Sequence, residues 1–560
     1  MKQIPYGVTD FIAIQKENKY FIDKTKYIPK LEKAGNFLTF LRPRRFGKTL
    51  FLAVLDAYYN SLYEDIFDEI FKNTFIGQNK TAEASQYAIL KFNFSDVSIL
   101  DNVEDSFKHS LYIKTSNFID MYNIPIKIND NPNENLKNIL GYFEKNFNKK
   151  LYILIDEYDH FANRLLIQDK STYSKTITAK SSPYKEFFTI LKGGASGNNA
   201  PIKRMFITGV TPMTMYDVTS GFNIGRNVSL NSELNNLTSI DEGELEKLLT
   251  HYKIDLKYKS LLKEWYNNYQ FSPNVNYKVY NTDMVLYFIN NYKDNNQPPK
   301  ELIDINVRSD YSSLRELIYT NKKLNGNFET LQLLLSKNKI EVENLVQDFS
   351  ALNLVDSNNF KSLLFYLGLI TIKEQRLNLT LNIPNETIKR IDIDYINSSL
   401  HLEDIFSIRV DRLGEKLSDF AQYGDLEVFN FLAKEIKEAS SLRDYIKGEH
   451  HIKAMYLTYL SLTNYFVVKT EAELNKGFAD LFIKPLNPFV DYFALVELKY
   501  INRSEKNYKE KIPQLITQAK EQLNTYEKDE MVQEFVKDGK KLVKIVMVFY
   551  GWELLEMVVV

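Results

Sequence analysis

Short apolar runs alternate with stretches of helical periodicity in the first 230 or so residues, the rhythm of strands separated by helices. FLTFLRPRRF (37–46) leads into KTLFLAVLDAYYNSLY, where apolar residues recur at helical spacing. YAILKFNFSDVS (87–98), KKLYILIDEYDH (149–160) and RMFITGVTPMT (204–214) read as further buried strands ending in polar residues. An Asn-rich stretch, 123–135, reads as a surface loop before a helix. Strands apolar on both faces predict a parallel sheet covered by helices on each side. GGASGNNA (193–200) reads as a polar connection; Asn198 stands where a GxSxG nucleophile turn needs Gly.

From 239 to 397 the pattern turns mostly helical: DEGELEKLLTHY, YKSLLKEWYNNY, TDMVLYFINNY and FKSLLFYLGLITI suggest a helical lid or linker rather than more sheet. No period recurs, which argues against a solenoid. After further helices comes a compact α/β pattern: helix (450–465), strands FVVKTEAEL, GFADLFIKP and DYFALVELKY, helix (505–526), strand KLVKIVMVFY. The expected fold class is multidomain α/β, with divisions at 1–238, 239–400 and 401–560.

Composition narrows the functional classes. The 560 residues exceed one compact core, and 44% hydrophobic with 26% charged residues suits a globular chain. No apolar run approaches a membrane span, and the opening MKQIPYGVTDF lacks the apolar region of a secretory signal, so no membrane partner is expected. With Cys 0, disulfides, thiol catalysis and thiolate zinc are excluded, and a reducing cytoplasm is the expected location. Lys and Arg number 71 against 72 Asp and Glu, so any phosphate contact must come from a local patch.

The first patch is LRPRRFGKTL, where a strand turns into a helix. Gly47, Lys48 and Thr49 match the second half of GxxxxGK[ST]. Lys48 would meet β- and γ-phosphate oxygens, Thr49 would hold Mg²⁺, and the amides of the helix start would cradle phosphate. Arg42 replaces the first Gly and Pro43 lacks a donor; Arg42, Arg44 and Arg45 are expected to offset this with charge. In LYILIDEYD, Asp156 and Glu157 follow an apolar strand: Asp156 would bind Mg²⁺, and Glu157 would orient or deprotonate water. Thr208, ending the third strand, would sense the γ-phosphate.

In this order, IPYGVTDF, YFIDKTKYI, FLRPRRFGKTL, YILIDEYD and MFITGVTPMTMYDVTSGFNI resemble the prokaryotic AAA-ATPase-like family over roughly residues 1–230. Arg42 departs from general P-loops but not from this family. The resemblance implies an αβα ATPase core with a helical lid. It carries nucleotide binding onto Gly47, Lys48 and Thr49, and Mg²⁺ binding and hydrolysis onto Asp156 and Glu157. Asp23 and Lys24 fall in its DKT segment, whose role the residues do not reveal. Members commonly carry a C-terminal nuclease-like domain.

GFADLFIKPLNPFVDYFALVELKY reads as a hairpin turning near Pro485, Asn487 and Pro488, which sets Asp480 within a residue of facing Glu497. Glu497 and Lys499, two apart on a strand, share a face. Converging carboxylates need a partner or a metal, and oxygen ligands suit Mg²⁺ or Mn²⁺. Asp480 and Glu497 would be ligands, and Lys499 would position water or stabilise developing charge. Asp…ExK in this order of elements resembles the PD-(D/E)xK nucleases over roughly 445–550, with Ala479 where the strict motif has Pro. Glu449 would be a further metal ligand; Glu471 and Glu473 precede the Asp strand; Gln518, Gln522 and Tyr526 share a helical face. Lys and Arg balance Asp and Glu over 441–560, leaving Lys499, Arg503, Lys506, Lys509 and Lys511 as a candidate strip, which reads more simply as a solvated helix start. His450 and His451 form no metal pattern.

The combined expectation is an ATP-binding and ATP-hydrolysing protein with a metal-dependent nuclease domain acting on nucleic acid, DNA rather than RNA, under ATP control. The alternative is a nucleotide-switched binding or toxin-like module whose nuclease site is inactive. Assembly into a homo-oligomer is left open.

Overall fold

The computed structural model describes all residues except 101, 147–149, 180, 219–223, 310–329, 331–332, 335–336, 355, 392–409, 439–447, 462, 464, 476 and 487–488. Its contacts form two compact units, Met1–Asn325 with Glu341–Asn385, and Gly326–Ile340 with Glu386–Val560. The expected division at residue 400 falls outside the described residues, as do Asn487 and Pro488 of the predicted hairpin turn.

The first unit is built on a five-stranded sheet of β1 (Phe37–Leu41), β2 (Tyr87–Asn93), β3 (Lys150–Asp156), β4 (Ile202–Gly209) and β5 (Arg226–Asn227). Strand order is β2-β3-β4-β1-β5 and every pairing is parallel. Parallel neighbours need crossovers, which the helices α1 (Lys48–Tyr59), α2 (Val103–Met121), α3 (Pro132–Lys145) and α4 (Pro183–Gly194) supply. The Asn-rich loop before α3 ends in a cap: Asn131 accepts from the Asn133 amide, with Pro132 at the first helical position. β4 lies between β3 and β1, so its C-terminal end adjoins both the strand feeding the GKT turn and the strand carrying Asp156.

That junction is pinned by Asp159, fully buried just past β3. Its carboxylate accepts from the Val210 amide at 3.1 Å, the Thr211 amide at 2.7 Å, the Thr211 hydroxyl at 2.9 Å and Asn163 Nδ2 at 2.8 Å. Four donors satisfy a charge that burial would otherwise penalise. Gly209 makes the approach possible, because a Cβ there would stand 2.4 Å from Asp159 Oδ1 and 2.5 Å from the Tyr158 ring.

The middle region contributes α5 (Glu242–His251), α6 (Lys259–Tyr266), α7 (Thr282–Asn295) and α8 (Ser357–Leu367). The helical reading of FKSLLFYLGLITI needs correction. α8 stops where Gly368 takes φ 79°, and the β-branched residues that follow open β6 (Thr371–Gln375), antiparallel to β7 (Leu379–Asn382).

The second unit carries a mixed sheet of β8 (Phe466–Leu474), β9 (Gly477–Pro485), β10 (Tyr492–Ile501), β11 (Lys541–Tyr550) and β12 (Glu553–Val559) in the order β12-β11-β10-β9-β8. Only β10 and β11 run parallel, joined through α10 (Tyr508–Tyr526), while α9 (Glu449–Leu460) precedes the sheet. β12 and the helix Glu530–Lys537 were not anticipated from the sequence. Ala519, Leu523 and Tyr526 of α10 pack with Phe482, Phe493, Leu495 and Val546 of the sheet.

Gly209→Ala should destabilise the first unit by about 1–3 kcal/mol, since neither the Asp159 clamp nor the Tyr158 ring can retreat from the added methyl. The check is calorimetric unfolding of the variant, with the second unit's transition unmoved.

Candidate functional site

The phosphate loop departs from helical geometry at two residues, Arg45 with φ 66° and Gly47 with φ 76°. Gly47 caps α1 from this left-handed conformation, which a side chain would strain. The expectation that Arg42 supplies charge to phosphate is not met. Arg42 is 1% exposed, its guanidinium donates to the carbonyls of Leu41 (2.8 Å), Ser229 (2.7 Å) and Leu234 (3.0 Å), and it lies 4.3 Å from the ring centres of both Phe40 and Phe271. Burial pulls it down to about 9. Arg45 pairs with Asp283 of α7 at 3.6 Å, and Phe46 meets Tyr269 and Phe271 edge-on. The loop's basic and aromatic residues thus largely fasten it to the middle region. Arg44 faces the site, with Nη2 3.5 Å from His160 Nδ1.

The matched tripeptide lies at the start of α1. Lys48 is 6% exposed and donates to the Pro43 carbonyl at 3.0 Å; burial lowers its pKa against the pull of Glu157, Asp156 and Asp159. The Thr49 hydroxyl donates to Asp156 Oδ2 at 2.8 Å, joining the two groups expected to share a Mg²⁺. Burial and then the neighbouring Glu157 raise Asp156 to about 6. Burial also acts upward on Glu157, but the His160 hydrogen bond and the charges of Lys48 and Arg44 carry it down to about 2. Thr208 is fully buried with its hydroxyl unpartnered, which is unusual for a polar atom in a core.

Two recesses flank this turn. A polar one reaches Thr49 and Asp156 past Asp56, Lys91 and Asn93. An apolar one opens beside Gly47 between Tyr20, Ile22, Leu50, Leu237 and Leu286. The sequence reading missed the second because its walls come from distant segments. The DKT segment now has a structural role there. Lys24, on the recess wall, meets Glu244 Oε2 at 2.6 Å, and Glu244 belongs to the capping box that starts α5. Burial lowers Lys24 to about 8. Asp23 accepts from the Thr25 amide and hydroxyl and from the Phe75 amide, closing the turn.

In the second unit the hairpin register pairs Leu481 with Val496, so Asp480 faces Glu497 one step along. The two are knitted together: the Leu498 amide donates to Asp480 Oδ2 at 2.7 Å, and the Asp480 amide to Glu497 Oε1 at 3.4 Å. Lys499 Nζ donates to Glu497 Oε2 at 2.8 Å and Gln522 Oε1 at 3.0 Å, so α10 does bring a glutamine to the site. Tyr526 supports it from beneath, donating to the Phe478 carbonyl at 3.2 Å. Gln518 and Glu473 are exposed. Burial, then the Asp480 charge, raises Glu497 to about 7, and the same two causes raise Glu449.

The sequence reading missed Lys453. Nearly buried on α9, it meets Asp480 Oδ1 at 2.6 Å and Glu449 Oε1 at 3.1 Å, and pairs with Glu471. Burial depresses its pKa, and these carboxylates more than reverse the effect. Its spacing, one turn after Glu449, was the only available signal. Among the described residues no three His, Asp or Glu side chains are arranged to hold a metal unaided. The donor chemistry still suits a hard cation: mutually repelling carboxylates offering only oxygen. Of the candidate strip, Lys511 pairs with Glu505, and Arg503 contacts Glu553 and stacks 3.7 Å from the Trp552 ring centre.

Comparison with known proteins matches two parts of the chain. Residues 5–219 match the AAA-ATPase-like family model, described as "Predicted AAA-ATPase", and residues 447–558 match a PD-(D/E)XK nuclease superfamily model. An uncharacterised protein from the vnfD 5′ region of Azotobacter chroococcum mcd 1 is 21% identical over 291 residues, 51% of this chain; the chain spans about half that relative's length, 52%. The Aeropyrum pernix ORC2 protein, solved as ADPNP–ADP complexes, aligns with TM-score 0.32 and 11% identity, covering 68% of this chain and 93% of that one, a likeness too low to carry an argument. No described helix is long and apolar enough to cross a membrane. By these matches the chain carries an AAA-ATPase-like domain over residues 5–219 and a PD-(D/E)XK nuclease superfamily domain over residues 447–558.

Proposed function

We propose that the protein binds and hydrolyses ATP in its first unit and, under control of that nucleotide, cleaves nucleic-acid phosphodiester bonds in its second, with DNA the expected polymer. The observation that carries the nuclease reading is the meeting of Asp480, Glu497 and Lys499 across one hairpin. The division into ATPase core (1–238), helical lid (239–400) and nuclease domain (401–560) belongs to the same proposal.

For ATP, the apolar recess beside Gly47 takes the base, and Lys48 and the α1 amides take the β- and γ-phosphates. Thr49 and Asp156 hold the Mg²⁺ that accompanies the nucleotide; their hydrogen bond and the raised Asp156 pKa support that pairing. The unpartnered Thr208 hydroxyl is suited to a γ-phosphate oxygen. A carboxylate held at about 2 accepts a proton poorly, so Glu157 orients water more than it deprotonates it.

In the second unit Asp480 and Glu497 hold Mg²⁺ or Mn²⁺, with Glu449 as a further ligand. An ion held there would supply charge neutralisation at a scissile phosphate and lower the pKa of a bound water. Gln522 and Glu497 fix the Lys499 ammonium, which orients the attacking water and meets developing negative charge.

Lys48→Ala should abolish ATP binding in calorimetry while the fold persists. Glu157→Gln should retain ATP and slow turnover by on the order of 10². Thr208→Val should keep affinity, slow hydrolysis by roughly tenfold or more, and leave stability unchanged or raised by about 1 kcal/mol, because an orphan hydroxyl leaves the core. Unchanged turnover in both hydrolysis variants would remove Glu157 and Thr208 from the reaction.

Asp480→Asn and Lys499→Met should each abolish metal-dependent nicking of plasmid while ATP binding survives; in Lys499→Met, metal affinity should fall less than rate. Cleavage is to be followed across Mg²⁺ and Mn²⁺ titrations with and without ATP. Equal cleavage by wild type and both variants defeats the site, and absence of cleavage in wild type under all conditions favours a nucleotide-switched binding module.

A further inference from the structure

The Asp480 carboxylate has two oxygens with different duties. Oδ2 faces inward and accepts the Leu498 amide at 2.7 Å, which binds it into the hairpin. Oδ1 meets the Lys453 ammonium at 2.6 Å. The same ammonium takes Glu449 Oε1 at 3.1 Å, so Lys453 engages two of the three carboxylates assigned to the metal. Glu471 completes its shell from a strained backbone, with φ 50° in the middle of β8. Facing Asp480 across the sheet, Glu471 lies between the register pairs Ala472–Ala479 and Thr470–Leu481. Four carboxylates, Glu449, Glu471, Asp480 and Glu497, thus share two ammonium groups, Lys453 and Lys499.

We propose that Lys453 is a built-in counter-cation that competes with the divalent ion for Asp480 Oδ1 and Glu449 and must swing aside for metal to enter. This rests on the metal-dependent nuclease reading and adds a residue that sets its metal affinity. A divalent ion would bind a carboxylate oxygen at about 2.0–2.6 Å. An ammonium held on the same oxygen would lie close enough for strong repulsion in a buried, weakly screened site. Lys453 lies near the start of α9 and carries its ammonium at the end of a long, flexible stem, so the charge can leave without moving the helix. The arrangement keeps the carboxylates paired in the metal-free protein and makes occupancy a displacement rather than a simple filling. A purely structural ion pair predicts the opposite: loss of Lys453 would loosen the site and weaken metal binding.

The test is Mn²⁺ titration calorimetry on the nucleotide-free 560-residue chain, with Asp480→Asn defining the signal from this site. Lys453→Met, which keeps the stem and removes the charge, should bind Mn²⁺ on the order of tenfold more tightly than wild type. Its melting temperature should fall in EDTA and recover with Mn²⁺, while Lys453→Arg, which retains the charge, should bind no more tightly than wild type. If the methionine variant does not fold, Lys453→Gln takes the same measurement. Equal or weaker Mn²⁺ binding on loss of the charge overturns the proposal, while a signal removed by Asp480→Asn leaves the nuclease reading standing. Mn²⁺ binding left unchanged by Asp480→Asn removes both.

Discussion

A charge taken out of water has to be met within the protein, and both units organise their functional residues around that demand. Arg42 has no carboxylate within reach in its described contacts; three carbonyls and two aromatic faces meet it instead. Those partners belong to the end of β1, the turns after β5 and the middle region, so satisfying one guanidinium fixes where the phosphate loop leaves the sheet. Lys24 with Glu244 and Arg45 with Asp283 repeat the device at the starts of α5 and α7. In the second unit the same demand couples Lys453 and Lys499 to four carboxylates.

The consequence for function is division of labour among like residues. Of the three arginines beside Gly47, one is core, one is an anchor and one faces His160. Of the three carboxylates at the end of β3 and just past it, Asp159 is saturated by four donors and is structural, whereas Asp156 bonds Thr49 and Glu157 is held by His160. Residue type alone does not separate these roles; donor count does. A carboxylate whose lone pairs are already taken by amides has little left for a metal or a water.

Much of the fold was legible because its strands are apolar on both faces and short, a pattern that only a covered parallel sheet satisfies. β1 to β3 fall within the expected runs, β4 begins two residues before its run, and the facing of Asp480 and Glu497 followed from the hairpin. The hairpin β6–β7 was hidden because ITI continues an apolar helical run and only Gly368 marks the break. β12 was hidden because its exposure pattern is mostly intermediate and lacks a clear alternation.

By itself the sequence marked the candidates for chemistry: GKT after a strand, the acids after an apolar run, and Asp with ExK on adjoining strands. These depend on local period and spacing, which a one-dimensional pattern contains. Tertiary structure alone decided which charges are spent on each other. Arg42 turned inward, Lys24 reached Glu244, and Lys453 of α9 closed on Asp480 of β9 and Glu471 of β8. Such pairings join residues from separate elements, and their strength depends on burial that exists only once those elements pack.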